Sequence, residues 1–411
     1  MWGKTWEWRE GIGICGGLTV IGLALQLTGG NISWSSFACP VNLCLLAGYL
    51  LILLVLYTLR QRIYFVRWAM TYQAALPALA FTVGMTFLMG MIRQLPESAP
   101  STDILGFSKM ISCWPFVLTY IWMTTILGLV SIKHLFHFHW RKIPFLCNHL
   151  GLFMALICAT LGSADMQRLT MQTQVGKTEW RAIDTERRIQ ELPLAIELQS
   201  FTIDQYPPKL MLIDNSTGEA LPKDKPEHLL VEENTKEGTL LGWNIRILEN
   251  LDMAASVTEN DTIRFVDWHS MGATSAVCVQ ITSPDGKLTR QGWVSCGSFA
   301  FPYQALRLDE RHSLVMPERE PQRFASKVKI YTQSGETTET EIEVNKPAEI
   351  DGWKIYQLSY DETKGRWSDI SILELVTDPW LPWVYAGILL MMAGAVCMFV
   401  MAQKEKKEET E

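Results

Sequence analysis

The chain has no surplus of positive charge: 36 Lys and Arg stand against 43 Asp and Glu, a formal net charge of −7. Its polar part contains no basic tract interleaved with aromatics, which argues against nucleic acid as a partner. Hydrolytic and nucleotide signatures are missing as well. There is no Gly-x-Ser-x-Gly, no His-Glu-x-x-His, no phosphate-binding P-loop, and no Gly-x-Gly-x-x-Gly after a strand. The nine cysteines include no Cys-x-x-Cys, so a thioredoxin-like redox role has no support. Histidine is scarce, with seven in 411 residues. No internal repeat is visible, and the only biased segment is the charged end 403–411, which is expected to be disordered.

What is plentiful is apolar sequence, unevenly placed. Residues 1–163 and 379–402 are mostly apolar, whereas 165–378 is polar and rich in charge. Six segments are long enough to cross a bilayer, at about 11–29, 38–58, 68–92, 113–132, 145–163 and 380–402. The first is too long for the core of a signal peptide and no Ala-x-Ala-type site follows it, so it reads as a retained helix. Lys4, Arg9, Arg60, Arg62, Arg67, Lys133, Arg141, Lys142, Lys404, Lys406 and Lys407 all fall on one side if the spans alternate. The opposite loops, 30–37 and 93–112, carry only Arg93 and Lys109. The positive-inside rule then puts both termini in the cytoplasm and 165–378 outside. The expectation is a polytopic α-helical membrane protein with six transmembrane helices and a large extracytoplasmic β-rich domain inserted before the last helix.

Strand signals in that domain are clear. Residues 194–204, 326–332, 340–344, 353–358 and 369–376 alternate apolar and polar. Turn sequences separate them, including Asp214-Asn215-Ser216-Thr217-Gly218 and Ile350-Asp351-Gly352. An antiparallel β-sandwich or a related β-rich fold is expected. The charged stretch 175–191 reads as a helix or an ordered lead-in. Cys278 and Cys296 flank a turn at Ser283-Pro284-Asp285-Gly286. Folding about that turn sets residue 292 opposite 278, so a simple cross-strand disulfide is not expected. The other seven cysteines lie in or near spans and read as small apolar packers, with Cys39, Cys44 and Cys113 near the outer mouth and open to pairing or reaction.

Among the histidines, His149 stands out. It opens Asn148-His149-Leu150-Gly151-Leu152-Phe153 at the start of an apolar segment that leads straight into the polar domain. An imidazole there is costly without a partner, and histidine is well suited to bind haem iron. It is the candidate intramembrane ligand; the bland reading is a polar helix-end residue bonded to a neighbouring backbone. His134, His137 and His139 cluster in a cytoplasmic loop, where His134 and His137 share a face if the fourth span continues. Interfacial anchoring is the bland reading there, haem uptake or metal binding the sharp one. His228, His269 and His312 are far apart and read as ordinary surface or packed residues, although Asp267-Trp268-His269 is compatible with part of a site.

Several stretches together resemble ResB, also called CcsB, of the System II cytochrome c maturation machinery. They are Asn148 to Phe153 with Gly162; Leu192-Pro193-Leu194-Ala195-Ile196-Glu197-Leu198 with Phe201-Thr202-Ile203 and Tyr206-Pro207; Val344-Asn345-Lys346-Pro347 with Asp351-Gly352-Trp353-Lys354-Ile355-Tyr356-Gln357 and Ser359-Tyr360; and Asp378-Pro379-Trp380 through Gly387 and Gly394. The likeness spans about 68–402, with 209–325 resembling the family poorly. On this plan 1–58 holds two extra N-terminal transmembrane helices, 68–163 a three-helix ResB-like core, 165–378 the extracytoplasmic ResB-like domain, 380–402 the final helix, and 403–411 a charged cytoplasmic tail.

The resemblance implies a multi-pass protein of a bacterial-type cytoplasmic membrane. It would handle haem, transiently, with a CcsA- or ResC-like membrane partner. Apocytochrome c would receive that haem through thioether bonds, with thiol-reducing proteins involved indirectly. His149 takes the place of the family's haem-ligating histidine, and Arg141 and Lys142 lie where they could meet the propionates. Whether such a subunit is an enzyme stays open; no general acid or base stands out, and a non-catalytic subunit of a holocytochrome c synthase fits. Trp2-Gly3-Lys4-Thr5-Trp6-Glu7-Trp8 partly resembles the tryptophan-rich motif of CcsA, but Arg9 replaces its Asp, and the run reads as an interfacial aromatic belt. The alternative is a membrane-anchored scaffold or binding protein without haem ligation. A small-solute transporter finds little support, since few ionisable residues lie mid-span and no inverted repeat is apparent.

Overall fold

A computed structural model describes residues 5–97, 99–232, 234–259 and 262–408, with 402–408 as backbone only. Trp2, Lys4, residues 409–411 and the side chains of Lys404, Lys406 and Lys407 lie outside the described residues. The chain forms two compact units, Met1–Arg168 with Val376–Glu411, and Leu169–Leu375.

The first unit is helical. Its helices are α1 (Trp8–Gly29), α2 (Val41–Leu59), the short α3 (Tyr64–Ala69), α4 (Tyr72–Met91), α5 (Trp114–Phe136), α6 (Ile143–Gly162) and α7 (Leu381–Glu408). All but α3 are long and apolar enough to cross a membrane, which makes this a multi-pass membrane chain. Within a bilayer a helix satisfies its own backbone, so these segments have no other good option. The third span starts at Tyr72 rather than 68, because residues 64–69 close a separate helix and Thr71 takes up extended backbone. Pro115 and Pro144 sit in the first turns of α5 and α6, where a missing N–H costs nothing. At the chain's end α7 stays helical to Glu408, so the expected disorder gives way over 403–408; the run Lys404 to Glu408 is made of good helix formers.

Four glycines from the ResB-like motifs lie along the seam between α6 and α7. A Cβ on Gly151 would stand 2.5 Å from the Gly387 carbonyl oxygen, and one on Gly387 would stand 2.7 Å from Gly151 O and Ala155 N. A Cβ on Gly394 would stand 2.9 Å from Asn148 N and Pro144 O, and one on Gly162 would collide with the Trp380 side chain. Close backbone approach through small residues is how helices associate where lipid removes the hydrophobic drive. Behind the seam, Leu53, Tyr57, Trp68, Ile126, Leu129, Phe153 and Ile157 fill the bundle core.

The second unit is built of β structure. Its strands begin with β1 (Gln167–Gln174), β2 (Thr178–Ile183) and β3 (Ile189–Gln205). Then come β4 (Lys209–Asp214), β5 (Leu229–Leu230), β6 (Glu237–Leu240), β7 (Trp243–Glu259), β8 (Thr262–Asp267), β9 (Thr274–Thr282), β10 (Thr289–Ser295), β11 (Leu306–Arg307) and β12 (His312–Val315). The last are β13 (Pro321–Thr332), β14 (Thr337–Glu343), β15 (Ala348–Ile350), β16 (Trp353–Tyr360) and β17 (Ile370–Thr377). The stretch 175–191 is therefore a turn, a strand and the start of another; its charged residues are a strand's exposed face, not a helix.

An eight-stranded sheet runs in the order β14-β13-β3-β2-β1-β17-β16-β15. One core takes residues from every one of these strands, among them Met171, Ala182, Leu198, Ile330, Ile342, Ile350, Ile355 and Leu373. A core shared by all eight requires the sheet to roll around it, and its end strands β14 and β15 approach each other. That differs from the two stacked faces of a sandwich. The span β4–β12 leaves this sheet after β3 and returns at β13. It forms a sheet ordered β10-β9-β7-β6 with β8 on β7, and another ordered β11-β12-β4-β5. Leu210, Leu212, Ile245, Val279, Ile281, Val294 and Leu314 pack between them.

The Val344-to-Tyr360 motif is explained by folding alone. Asn345 (φ 64°), Asp351 (φ 47°) and Gly352 (φ 77°) take the left-handed turns on either side of β15. Trp353 and Ile355 enter the core, and Gln357 joins a buried network in which Ser326 Oγ donates to Gln357 Oε1 at 2.6 Å and Gln357 Nε2 donates to Ser371 Oγ at 3.1 Å. Between β9 and β10 the register is one residue off the sequence expectation: Cys278 faces Trp293, not 292. The connection is a six-residue loop from Ser283 to Leu288, closed by Ser283 N to Leu288 O at 2.8 Å, in place of a tight four-residue turn. Cys278 and Cys296 are both free.

Candidate functional site

In the run 148–153 nearly every residue with a distinctive side chain has a packing role. Asn148 Nδ2 donates to Met398 Sδ at 3.1 Å, so it faces α7. Gly151 is the close contact with Gly387. Phe153 is buried, stacked on Tyr49 at 6.4 Å between ring centroids. His149 is the exception. It lies on the stripe Phe145, His149, Leu152, whose outer members are 39% and 38% exposed, while Leu146, Phe153, Ile157 and Cys158 face inward.

The His149 ring is held from its own helix. Nδ1 lies 2.9 Å from the Phe145 carbonyl oxygen, and the imidazole stacks on the Phe145 ring at 3.7 Å and 22°. A carbonyl at Nδ1 fixes the proton there and leaves Nε2 with its lone pair free. Nε2 has no protein partner among the described residues. That is the donor a metal would need, on a half-buried side chain. His149 lies in the second turn of α6 rather than at its mouth. Arg141 and Lys142 are exposed in the short turn Trp140–Lys142 just before the helix, roughly 10 Å away along the axis at 1.5 Å per residue.

The histidines at 134, 137 and 139 do not share a face. α5 stops at Phe136, and His137 takes φ −108°, ψ 55°. His134 turns toward Phe145, with ring centroids 4.6 Å apart. His137 Nδ1 meets Tyr57 Oη at 3.1 Å and Lys133 O at 3.2 Å. In the β unit, His269 pairs with Asp267 (3.1 Å) and His312 with Asp309 (2.9 Å). Each is an ordinary surface pair of small energetic weight. Of the cysteines read as open to pairing or reaction, all three are free: Cys113 is buried with its Sγ 3.3 Å from Leu105 O, while Cys39 and Cys44 are exposed. Trp6 is more than a surface anchor: its ring meets Tyr64, Phe65 and Trp68 at 5.3–6.0 Å. Trp8 is 52% exposed.

One constellation was not visible in the sequence. At the far end of α6, Asp165 accepts hydrogen bonds from Cys39 N, Asn42 Nδ2 and Trp380 Nε1, each at 2.7 Å. Burial opposes its ionisation, but these three donors outweigh that and hold its carboxyl below the ordinary carboxylate range. Beside it opens a cleft of about 920 Å³, whose walls include Cys39, Leu43, Met154, Cys158 and Trp383. Nothing short-range could have announced this knot, since the partners of Asp165 stand 123 to 215 positions from it.

Comparison with known proteins gives a match over part of the chain. A model of the ResB-like family matches residues 272–370. No curated protein matches the chain. The match starts within 209–325, so the second part of the stretch read as unlike the family is family-like after all; the short motifs used to judge it lie mostly elsewhere. A match of this kind points to cytochrome c biogenesis. His149 lies outside the matched residues.

Proposed function

From the ResB-like character of residues 272–370, we propose that this chain is a membrane subunit of a System II cytochrome c maturation complex. In this reading the β unit is extracytoplasmic and meets apocytochrome c, and the helical unit handles haem together with a CcsA- or ResC-like partner. Both termini are cytoplasmic, and thiol-reducing proteins act upstream by keeping the apocytochrome thiols reduced. Haem supplies the vinyl groups that the thiols add across.

The observation that carries the haem-handling part is His149. It is the one distinctive side chain of its motif that packs against nothing across the bundle. Its Nε2 is free, and its ring is oriented by the Phe145 carbonyl. A ligand on an outward helix face makes half a site, and a second chain would supply the rest. Arg141 and Lys142 are the cations nearest in sequence for haem propionates. No residue of this chain is assigned a proton transfer; its contribution is positioning.

The scaffold reading has one observation in its favour. Nδ1 on a helix carbonyl, with a ring stacked on Phe145, also satisfies a purely structural histidine. The deciding experiment is an optical spectrum of the complex purified with its CcsA-like partner, wild type against His149→Ala. A haem Soret band lost or shifted in the variant supports ligation by His149. A band unchanged by the substitution places the ligands in the partner, and an intact complex without haem in either sample supports the scaffold.

A further inference from the structure

At one end of the helical unit α2 stops at Leu59, α5 stops at Phe136 and α6 starts at Ile143. Arg60, Arg62, Lys133, Arg141 and Lys142 surround these helix ends. None of the five pairs with a carboxylate among the described residues. The sequence explains why: no Asp or Glu occurs from 11 to 96 or from 104 to 164. Glu7 and Glu10 form the capping box of α1. The stretch 403–411 sets four Glu against three Lys, too small an excess to neutralise the cluster. Helix dipoles do little more. The ends of α2 and α5 each carry about half a negative charge and the start of α6 about half a positive one, which leaves roughly four positive charges unanswered.

Arg60 is held in a set position. Its guanidinium lies over the Tyr57 ring, 3.8 Å from the centroid, and Nη1 donates to Tyr57 O at 2.8 Å. Neither Nε nor Nη2 donates to a protein acceptor among the described residues. These two groups make up one of the forked edges by which an arginine holds two oxygens at once. Tyr57 is itself fixed. It is buried, its ring stacks on Phe136 at 5.4 Å, and its Oη lies 3.1 Å from His137 Nδ1. His137 Nδ1 also lies 3.2 Å from Lys133 O. These contacts tie the open edge of Arg60 to the last turn of α5, where Lys133 is exposed. Lys142 reaches the same turn, since its charge and that of Lys133 both act on His134.

The apolar surroundings narrow what fits. Leu135, Phe136, Phe138 and Trp140 are each more than half exposed, and Phe138 meets Trp140 edge-on at 5.3 Å. Exposed aromatics at the ends of membrane-spanning helices mark the boundary between hydrocarbon and headgroups. A lipid phosphate lies at that boundary and brings acyl chains that such side chains can cover; a water-borne anion does not. The unanswered positive charge selects further. A zwitterionic lipid carries its own cation, whereas an anionic one supplies net negative charge.

We propose that this end of the helical unit binds an anionic phospholipid, with the phosphate held by the Nε–Nη2 edge of Arg60 and its charge answered by Lys133 and Lys142. Nothing in this depends on haem handling or on which side of the membrane the site faces.

The test uses the full chain purified in an uncharged detergent. A fluorescent phosphatidylglycerol is titrated onto it, and unlabelled phosphatidylglycerol and phosphatidylcholine compete for the site. Phosphatidylglycerol should compete roughly tenfold or more better than phosphatidylcholine. Arg60→Gln and Lys133→Gln should each weaken phosphatidylglycerol binding about fivefold. Arg93 follows α4 at the opposite end of the spans, so Arg93→Gln should leave binding unchanged. Equal competition by the two lipids overturns the proposal. A phosphatidylglycerol preference that Arg60→Gln or Lys133→Gln leaves intact overturns it too, as does one that Arg93→Gln reduces to the same extent. If Arg60→Gln frays the end of α2, Lys133→Gln still decides, because the Lys133 side chain is exposed and makes no hydrogen bond among the described residues.

Discussion

Replacing Asp165 with alanine is expected to loosen one end of the helical unit, because a single carboxylate there ties two distant stretches of chain to the end of α6 through three hydrogen bonds. It holds the backbone before α2 through Cys39, α2 itself through Asn42, and the start of α7 through Trp380. A hydrogen bond to a charged group is worth about 1.5–3 kcal/mol net, so three together would set an upper bound of about 5–9 kcal/mol. Two facts reduce it. Asp165 is half exposed, so water replaces part of what is lost. Asn42 Nδ2 also keeps the Leu161 carbonyl at 3.1 Å. The expected cost of Asp165→Ala is therefore about 2–4 kcal/mol. Asp165→Asn should cost about half of that, since it keeps one acceptor oxygen but turns an amide donor toward another donor.

The assay is thermal unfolding of the purified protein in nanodiscs at pH 7, where the alanine variant should melt on the order of 5–10 °C below wild type. The pH dependence gives an independent check. The folded carboxyl sits below its ordinary value of 3.8, so its contribution is fully present above that value and is lost as pH falls through the lower folded value. Wild type should thus lose stability in acid below about pH 4, and Asp165→Asn should lack that component. An alanine variant that melts with wild type at pH 7, or an asparagine variant with the same acid profile as wild type, would refute the reasoning.

Two further expectations follow from the packing and the charges. Gly151→Val should separate α6 from α7 or abolish folding, because its Cβ would meet Gly387 O at 2.5 Å, whereas Gly16→Ala, with nothing within 4 Å, should fold like wild type; comparing yields and thermal midpoints checks both. In the β unit, Arg323 and then Lys346 pull the Glu343 carboxyl down to about 2 from 4.5, so the stability it adds is present above pH 4.5 and fades toward pH 2. Arg323→Gln should make the melting profile of the β unit flatter between those limits.

Much of the fold was legible because it depends on local pattern. Apolar runs of membrane-spanning length gave the six long helices, and period-2 alternation found β3, β13, β14, β16 and β17. Turn chemistry at Ile350-Asp351-Gly352 marked the turn ahead of β16, while the three-residue β15 was too short to show in the pattern. What stayed hidden depends on distant partners. Alternation says that a strand has an inward face but not which strand lies beside it, so a rolled sheet and a sandwich look alike until β1 is found beside β17. The register of Cys278 slipped by one because a six-residue loop and a four-residue turn can share the same Ser-Pro-Asp-Gly sequence. The Asp165 knot and the Arg60 site each gather single residues from several segments, and no single segment carries their signature.

The 148–153 motif meets two separate demands, one of packing and one of chemistry. Asn148 and Gly151 answer to α7, and Phe153 answers to α5 and α2 through Gly128, Leu53 and Tyr49. These residues would be required of any protein with this helix seam, whatever its chemistry. His149 answers to none of them: its hydrogen bond and ring stack are within its own helix, and beyond it the tie is electrostatic, to His134 of α5. Packing alone would accept an apolar residue there, and a lipid-facing surface would favour one, because an imidazole in hydrocarbon carries a solvation cost. The cost is offset only if something outside the chain engages Nε2. A His149→Leu variant should therefore fold and melt like wild type when purified alone, and differ from it only in the assembled complex. A marked loss of stability in the isolated chain would instead make the histidine a structural residue.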